Sequence, residues 1–321
     1  MKRKVVVFLI AFLLFAFILS LLIGSVRIPP AEILSVLLGS SENENYRKMI
    51  IEVRIPRILM GILVGASLSV SGTIVQAIFR NPMADPYILG VSSGAAAGAV
   101  IGMALFPSLL SISLFAFLGG LLAVFTVYEI AKTNGRVPVD TLLLSGIAIG
   151  SFLSALTSLL MYLTGNYHNA ISWLLGSLRN PSWNDVAVMF FFTLLCSSLA
   201  YSLSRELNVM LLGEETAVYV GVDPERLKKS SMVLVALMTS VAVSFTGIIG
   251  FVGLVVPHMM RRLVGPDHRV LIPSSLLFGA TLMVLSDLLA RNLIEAEIPI
   301  GVITAMFGAP FFIYLIKRRS F

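Results

Sequence analysis

Uncharged runs long enough to cross a bilayer alternate with short charged clusters along the chain. A hydrocarbon core of about 30 Å calls for about 20 apolar residues per helix. The first run, Val5 to Val26, directly follows Lys2, Arg3 and Lys4. It exceeds the roughly 7–15-residue core of a signal peptide, and no A-x-A site follows, so it reads as a retained span. The second span runs from about Ile58 to Phe79. Pro86 to Tyr128 carries no charge and holds two spans, hinged near Phe106-Pro107-Ser108. Thr141 to Leu163 and Val186 to Ser204 are the fifth and sixth. Ser230 to Met260 is too long for one span and short for two, and Gly247, Gly250, Gly253 and Pro257 interrupt it. It reads as a seventh span and a short or broken eighth, a break tolerated only where protein or a cavity satisfies the freed backbone. Val270 to Ala290 and Ile298 to Ile316 complete an all-α fold of ten transmembrane helices.

An even number of spans puts both termini on one side. Sixteen of the 23 Lys and Arg residues fall on that side, from Lys2 through Arg80, Lys132, Arg136 and Arg261 to Arg319. The other seven are Arg27, Arg47, Lys48, Arg54, Arg57, Arg179 and Arg291. The positive-inside rule makes the richer side, and both termini, cytoplasmic. Composition agrees: charged residues are 12% of the 321, against about 25% in soluble domains. The net charge of +6 then reads as loop bias rather than as a nucleic-acid footprint. No separate soluble domain or long linker interrupts residues 1–321, which read as a single transmembrane domain. Ala66–Gly72 loosely echoes Thr239–Gly247, as two structural halves or by chance.

Small residues mark two helix faces. Gly90, Gly94, Gly98 and Gly102 recur every four residues in the third span, and Gly146, Gly150, Ser154 and Ser158 do so in the fifth. Helices associate in lipid through close backbone approach, which small residues permit. Tight packing accounts for both stripes. A pathway face or subunit interface is a second reading for the fifth span, which also carries Ser151 and Thr157. Asp287 is the clearest ionisable residue inside a span, a functional candidate by default. It also stands four residues before Arg291, where an ion pair is the structural alternative.

Several chemistries are missing. No G-x-x-x-x-G-K-[ST] occurs, so a P-loop is not expected. No H-E-x-x-H and no cysteine pair occurs, and His168, His258 and His268 lie far apart, so no metal site is expected. The lone Cys196 sits in an apolar run, and the Met residues are scattered as filler.

The longest polar cytoplasmic stretch lies at about 206–229. Gly213 to Gly221 reads as a short helix with Glu214 and Glu215 in its first turn and a Gly stop. Asp223 then serves as N-cap and Pro224 as first residue of a second short helix that includes Arg226. Two short helices bent at Gly221–Asp223 make a rigid knob, either a docking element for a soluble partner or an ordinary solvated loop.

The sequence resembles the FecCD-type permeases, membrane subunits of type II ABC importers for iron–siderophore, haem and cobalamin. The resemblance rests on Arg54-Ile-Pro-Arg57, on Gly65 to Gly72, and on Gln76 to Gly94 with its Arg80-Asn-Pro-Met-Ala-Asp-Pro86 core. It continues through Gly247 to His258 with Arg261, and Glu297 to Phe312. The resemblance implies a second copy of the chain, two ATP-binding cassette ATPase subunits, and a periplasmic or surface-anchored substrate-binding protein. It implies no cofactor in this chain, with ATP and Mg held by the partner ATPase. It assigns ATPase coupling to Gly213, Glu214, Glu215, Ala217, Gly221, Asp223, Pro224 and Arg226. It assigns binding-protein docking to outward-facing Arg54, Arg57 and Arg291. It puts the pathway at the dimer axis, favouring Gly146, Gly150, Ser154 and Ser158 in the fifth span and Gly301 and Gly308 in the tenth. Gly90, Gly94, Gly98 and Gly102 remain helix packing.

The expectation is therefore a multi-pass permease of the cell (inner) membrane, contacting lipid and no nucleic acid. It moves a metal chelate, iron–siderophore or haem foremost, by ATP-driven alternating access, and is not itself an enzyme. Cobalamin or an oxyanion is the alternative cargo, and an ion-coupled secondary transporter is the remoter alternative.

Overall fold

The computed structural model describes residues 2–318 apart from 25, 107, 179 and 295. Pro107 of the expected hinge, and Arg179 and Arg319 of the charge count, lie outside the described residues. No strand is present among the described residues; the only non-helical pairing there is an isolated bridge between Thr133 and Arg136.

The helices are α1 (Lys2–Leu22), α2 (Pro30–Leu37), α3 (Glu44–Lys48), α4 (Ile55–Ile78), α5 (Val91–Leu105), α6 (Leu109–Ala131), α7 (Val139–Thr164) and α8 (Tyr167–Leu174). They continue as α9 (Trp183–Ser202), α10 (Ser204–Met210), α11 (Glu214–Tyr219), α12 (Pro224–Thr246), α13 (Val252–Val264), α14 (His268–Asn292) and α15 (Ile300–Arg318). A π-helical turn, Met49–Arg54, leads into α4, and a 3₁₀ turn, Pro86–Leu89, leads into α5. A helix stands at each of the ten predicted positions. Seven helical segments among the described residues are long and apolar enough to cross a membrane: α1, 44–78, α6, α7, α9, α12 and α14. Helices α5 and α15 are apolar but shorter, and α13 has 13 residues.

Helix α4 is the axis of the bundle. Every residue from Val64 to Ile78 is buried, hydroxyl side chains included. Ser69 and Thr73 donate back to the carbonyls of Gly65 and Ser69 at 2.7 and 2.9 Å, which satisfies them without any partner helix. Two glycines bring other helices into backbone contact with α4. A Cβ on Gly65 would strike the carbonyl of Gly279 in α14, and one on Gly72 would strike that of Gly253 in α13. Pro257 has no N–H to offer the Gly253 carbonyl four residues earlier, and the released oxygen lies over Gly72. Around this axis, α1, α6, α7 and α9 bury a third or less of their apolar windows. Their outward Leu, Ile and Phe side chains suit a lipid surround, where the backbone is satisfied within each helix.

The break after the seventh span is real. Helix α12 ends at Thr246, Gly247 (φ +70) turns the chain, and Phe251 (φ +68) opens α13. The freed backbone finds partners elsewhere: Ser177 N–H donates to the Thr246 carbonyl at 2.7 Å. The Tyr87 hydroxyl donates to the Ile249 carbonyl at 3.0 Å and accepts the Ile249 N–H at 3.3 Å.

Candidate functional site

The segment between α9 and α12 forms a built projection. Leu207 and Met210 of α10 and Ala217 of α11 are fully buried and anchor it to the bundle. Gly213 (φ +118) opens α11 in a conformation that L side chains rarely adopt. Glu214 and Glu215 follow in the first turn, where the helix N-terminus favours acids. The helix stops in a Schellman motif: Val222 N–H bonds to the Ala217 carbonyl at 2.9 Å and Gly221 N–H to the Val218 carbonyl at 3.0 Å. Asp223 Oδ1 then caps α12 through the N–H groups of Glu225 and Arg226 at 3.0 and 3.1 Å. One expectation needs correction. The second helix is not a short piece, because Pro224 opens the 23-residue α12. The bend joins α11 directly to a candidate span. Its tip is apolar and open: Leu212, Val218 and Val220 are exposed, and Tyr219 is 89% exposed. An apolar tip on a polar segment is a candidate interaction surface.

The opposite end of the bundle holds a buried ionic cluster. Arg57 Nη2 lies 2.8 Å from Asp287 Oδ1 and also pairs with Glu297. Arg291 Nε lies 3.0 Å from Asp287 Oδ2, and its Nη2 donates to Ser20 Oγ at 2.7 Å. Arg54 donates to the carbonyls of Leu21, at 2.6 Å, and Val26. Arg54 and Arg57 are buried, at 4% and 9% exposure. The expectation of three arginines facing outward is therefore corrected. In this conformation they turn inward and fasten α1, α4, α14 and the segment before α15. For Arg57 and Arg291 the physical reason is Asp287 and Glu297, because a carboxylate in a poorly hydrated site demands a partner; Arg54 instead satisfies the carbonyls of Leu21 and Val26 at the end of α1. The cations exposed on that side include Arg27, Arg47 and Lys48.

The small-residue stripes serve different ends. Gly94, Gly98 and Gly102 of α5 lie directly on α6, where added Cβ atoms would meet Gly119, Phe115 and Ile112. Gly90 (φ +78) supplies the turn into α5. Gly146 of α7 sits on the Ile88 carbonyl, but Gly150 has only Ser93 Oγ near, at 3.6 Å. Ser154 shares a 3.3 Å hydrogen bond with Ser93, and Ser151, Ser154 and Ser158 are exposed. The stripe on α7 therefore runs from a packed end to an open face. Gly301 and Gly308 of α15 pack inward, against Leu175 and Ile248 and against Phe251. Their contacts brace the broken segment.

The sequence model of the FecCD transport family matches residues 12–318. The chain belongs to the FecCD transport family. The cobalamin import system permease protein BtuC of Halobacterium salinarum is 49% identical over 271 residues, 84% of this chain and 73% of that protein. The molybdate import system permease protein MolB of Haemophilus influenzae is 40% identical over 282 residues, 85% of this chain and 82% of that protein. A solved structure described as an inward-facing conformation of a metal-chelate type ABC transporter matches with a TM-score of 0.87 at 35% identity, over 99% of both chains. FecCD proteins are ABC transporter permease subunits and are not themselves enzymes. This chain is an ABC importer permease and an integral membrane protein.

Within this FecCD permease the predicted residues fall into four separate zones. The α11 group stands together on one projection, the arginines share one cluster, the α5 and α7 stripes adjoin through Ser93, and Gly301 and Gly308 of α15 lie against the broken segment. Three participants were missed. Glu297 completes the Arg57 site, Tyr87 holds the broken segment, and Lys228, which the sequence did not single out, is 1% exposed. Glu225 and Lys228, at i,i+3, carried a signal for an ion pair but none for its burial.

Proposed function

We propose that this FecCD permease moves a metal chelate as one of two copies around a central path. It spans the membrane ten times with both termini in the cytoplasm, in the inner or sole cell membrane. Two ATP-binding cassette ATPase subunits, holding ATP and Mg, press on the α11 projections. The Schellman stop, the Asp223 cap and the exposed Tyr219 tip support this, because a capped helix transmits displacement where a floppy loop absorbs it. A substrate-binding protein on the far side supplies specificity, so the path needs no tight site. The ion pairs of Arg57 and Arg291 and the carbonyl contacts of Arg54 support a part for them in fixing the outer helix ends on which such a protein would rest.

The observation that carries the reading is the combination of a family match over 12–318 with the built α11 projection. The metal-chelate cargo draws support from the 0.87 TM-score neighbour, and a cobalt corrinoid from the 49%-identical relative. The test is mass spectrometry of what the cognate binding protein retains on purification. An iron–siderophore, haem or corrinoid upholds the chelate cargo. A bare oxyanion such as molybdate overturns it.

A further inference from the structure

Lys228 heads the largest fully buried side chains among the described residues. A buried ammonium has three donors, each costly if left unmet. Here Nζ donates to the Val137 carbonyl at 2.8 Å and lies 2.6 Å from Glu225 Oε1 and 3.2 Å from Glu214 Oε2. Glu225 Oε2 in turn accepts the Val137 N–H at 2.9 Å. Both backbone polar groups of Val137 are thus held by side chains of α12.

The partners sit on three different elements. Glu214 is the first residue of α11, Glu225 and Lys228 lie in the first turns of α12, and Val137 is two residues before α7. Pro138 follows Val137 with its φ fixed by the ring, and its carbonyl accepts the Leu142 N–H at 3.0 Å, so the connection into α7 is stiff. Helix α11 itself packs on α10 and α12, whereas α7 packs on α5 and α6. Helix α12 also packs on α5 and α6, and Lys228 adds a side-chain link from the projection to the start of the helix that carries the open Ser151–Ser158 face.

We propose that Lys228, through Glu214 and Val137, is the positioning residue that carries a displacement of α11 to α7. This rests on the importer reading. A push on α11 moves Glu214, the ion pair drags Lys228 and Glu225, and their grip on Val137 tilts the cytoplasmic start of α7.

The test uses the full permease with its ATPase subunits in proteoliposomes, carrying Ser151→Cys as a reporter on α7. The one native thiol, Cys196, is buried. The rate of modification by a membrane-impermeant maleimide is read with and without ATP. Lys228→Met is the principal variant, since it severs the link to Val137 itself. Glu225→Ala is the second, since it frees the Val137 N–H while Lys228 keeps Glu214 and the Val137 carbonyl. The expected result is continued ATP hydrolysis with loss of the nucleotide-driven change in labelling in Lys228→Met and a smaller change than the parent's in Glu225→Ala. Labelling that still responds in both as the parent does overturns the inference. Loss of co-purification or hydrolysis in both also overturns it, because the cluster would then serve the ATPase contact rather than the link to α7. A parent complex that neither hydrolyses ATP nor responds to it fails the importer reading instead.

Discussion

Arg57 and Asp287, 230 residues apart in sequence, meet in a two-point ion pair, with Nη2 and Nε 2.8 and 3.0 Å from Oδ1. Arg291 takes the second carboxylate oxygen at 3.0 Å. Asp287 is thereby held by two guanidinium groups, one on α4 and one on its own helix. An ion-coupled carrier needs a carboxylate that exchanges its partner during transport, and this one is pinned. Replacing Asp287 by Asn leaves buried arginines short of a counter-charge, a loss of about 3–5 kcal/mol. The expected outcome is a lower melting temperature in detergent, with residual uptake still dependent on ATP. Normal stability combined with loss of proton dependence would assign Asp287 to coupling.

The α7 stripe makes a paired prediction. A methyl at Gly146 meets the Ile88 carbonyl, whereas a methyl at Gly150 reaches Ser93 Oγ at an ordinary 3.6 Å. Gly146→Ala should destabilise the protein by about 1–3 kcal/mol through overpacking. Gly150→Ala should stay within about 0.5 kcal/mol of the parent. Thermal unfolding of the two variants side by side checks this, and equal effects would contradict the packed-to-open gradient along the helix.

Tyr87 substitutes for helix hydrogen bonds at the α12–α13 break. Tyr87→Phe leaves both Ile249 backbone groups without the hydroxyl, at a cost of about 1–3 kcal/mol. Hydrogen exchange across residues 247–251 should accelerate in the variant, while exchange within α4 should not change. Unaltered exchange at Ile249 would show that other groups hold the break.

Tyr219 tests the projection. It is 89% exposed and none of the hydrogen bonds holding the bend runs through its side chain. Tyr219→Asp should leave the melting temperature of the permease unchanged and reduce the ATPase recovered with it. Full recovery would remove the exposed tip from the contact.

Local features were legible in the sequence and distant pairings were not. Asp223, Pro224 and Gly221 announce a cap and a stop through chemistry confined to a few neighbours, and the structure holds each of them in that role. The four-residue glycine repeat of α5 likewise contains its own explanation, because periodicity places it on one face. The direction of Arg54 and Arg57 was not legible. Charge counting assigns a residue to one side of a membrane, but the inward turn of Arg57 depends on carboxylates of α14 and the segment before α15, and that of Arg54 on carbonyls at the end of α1. The burial of Lys228 was not legible for the same reason, since the carbonyl it meets lies 91 residues away.

The central claim is tested most directly by reconstitution of the permease with its ATPase subunits and loaded binding protein in proteoliposomes. Cargo uptake is followed with ATP or a non-hydrolysable analogue, and with proton and sodium gradients collapsed. The account predicts uptake that requires hydrolysable ATP and survives loss of both gradients. Uptake that proceeds without ATP and stops when a gradient is collapsed would contradict it.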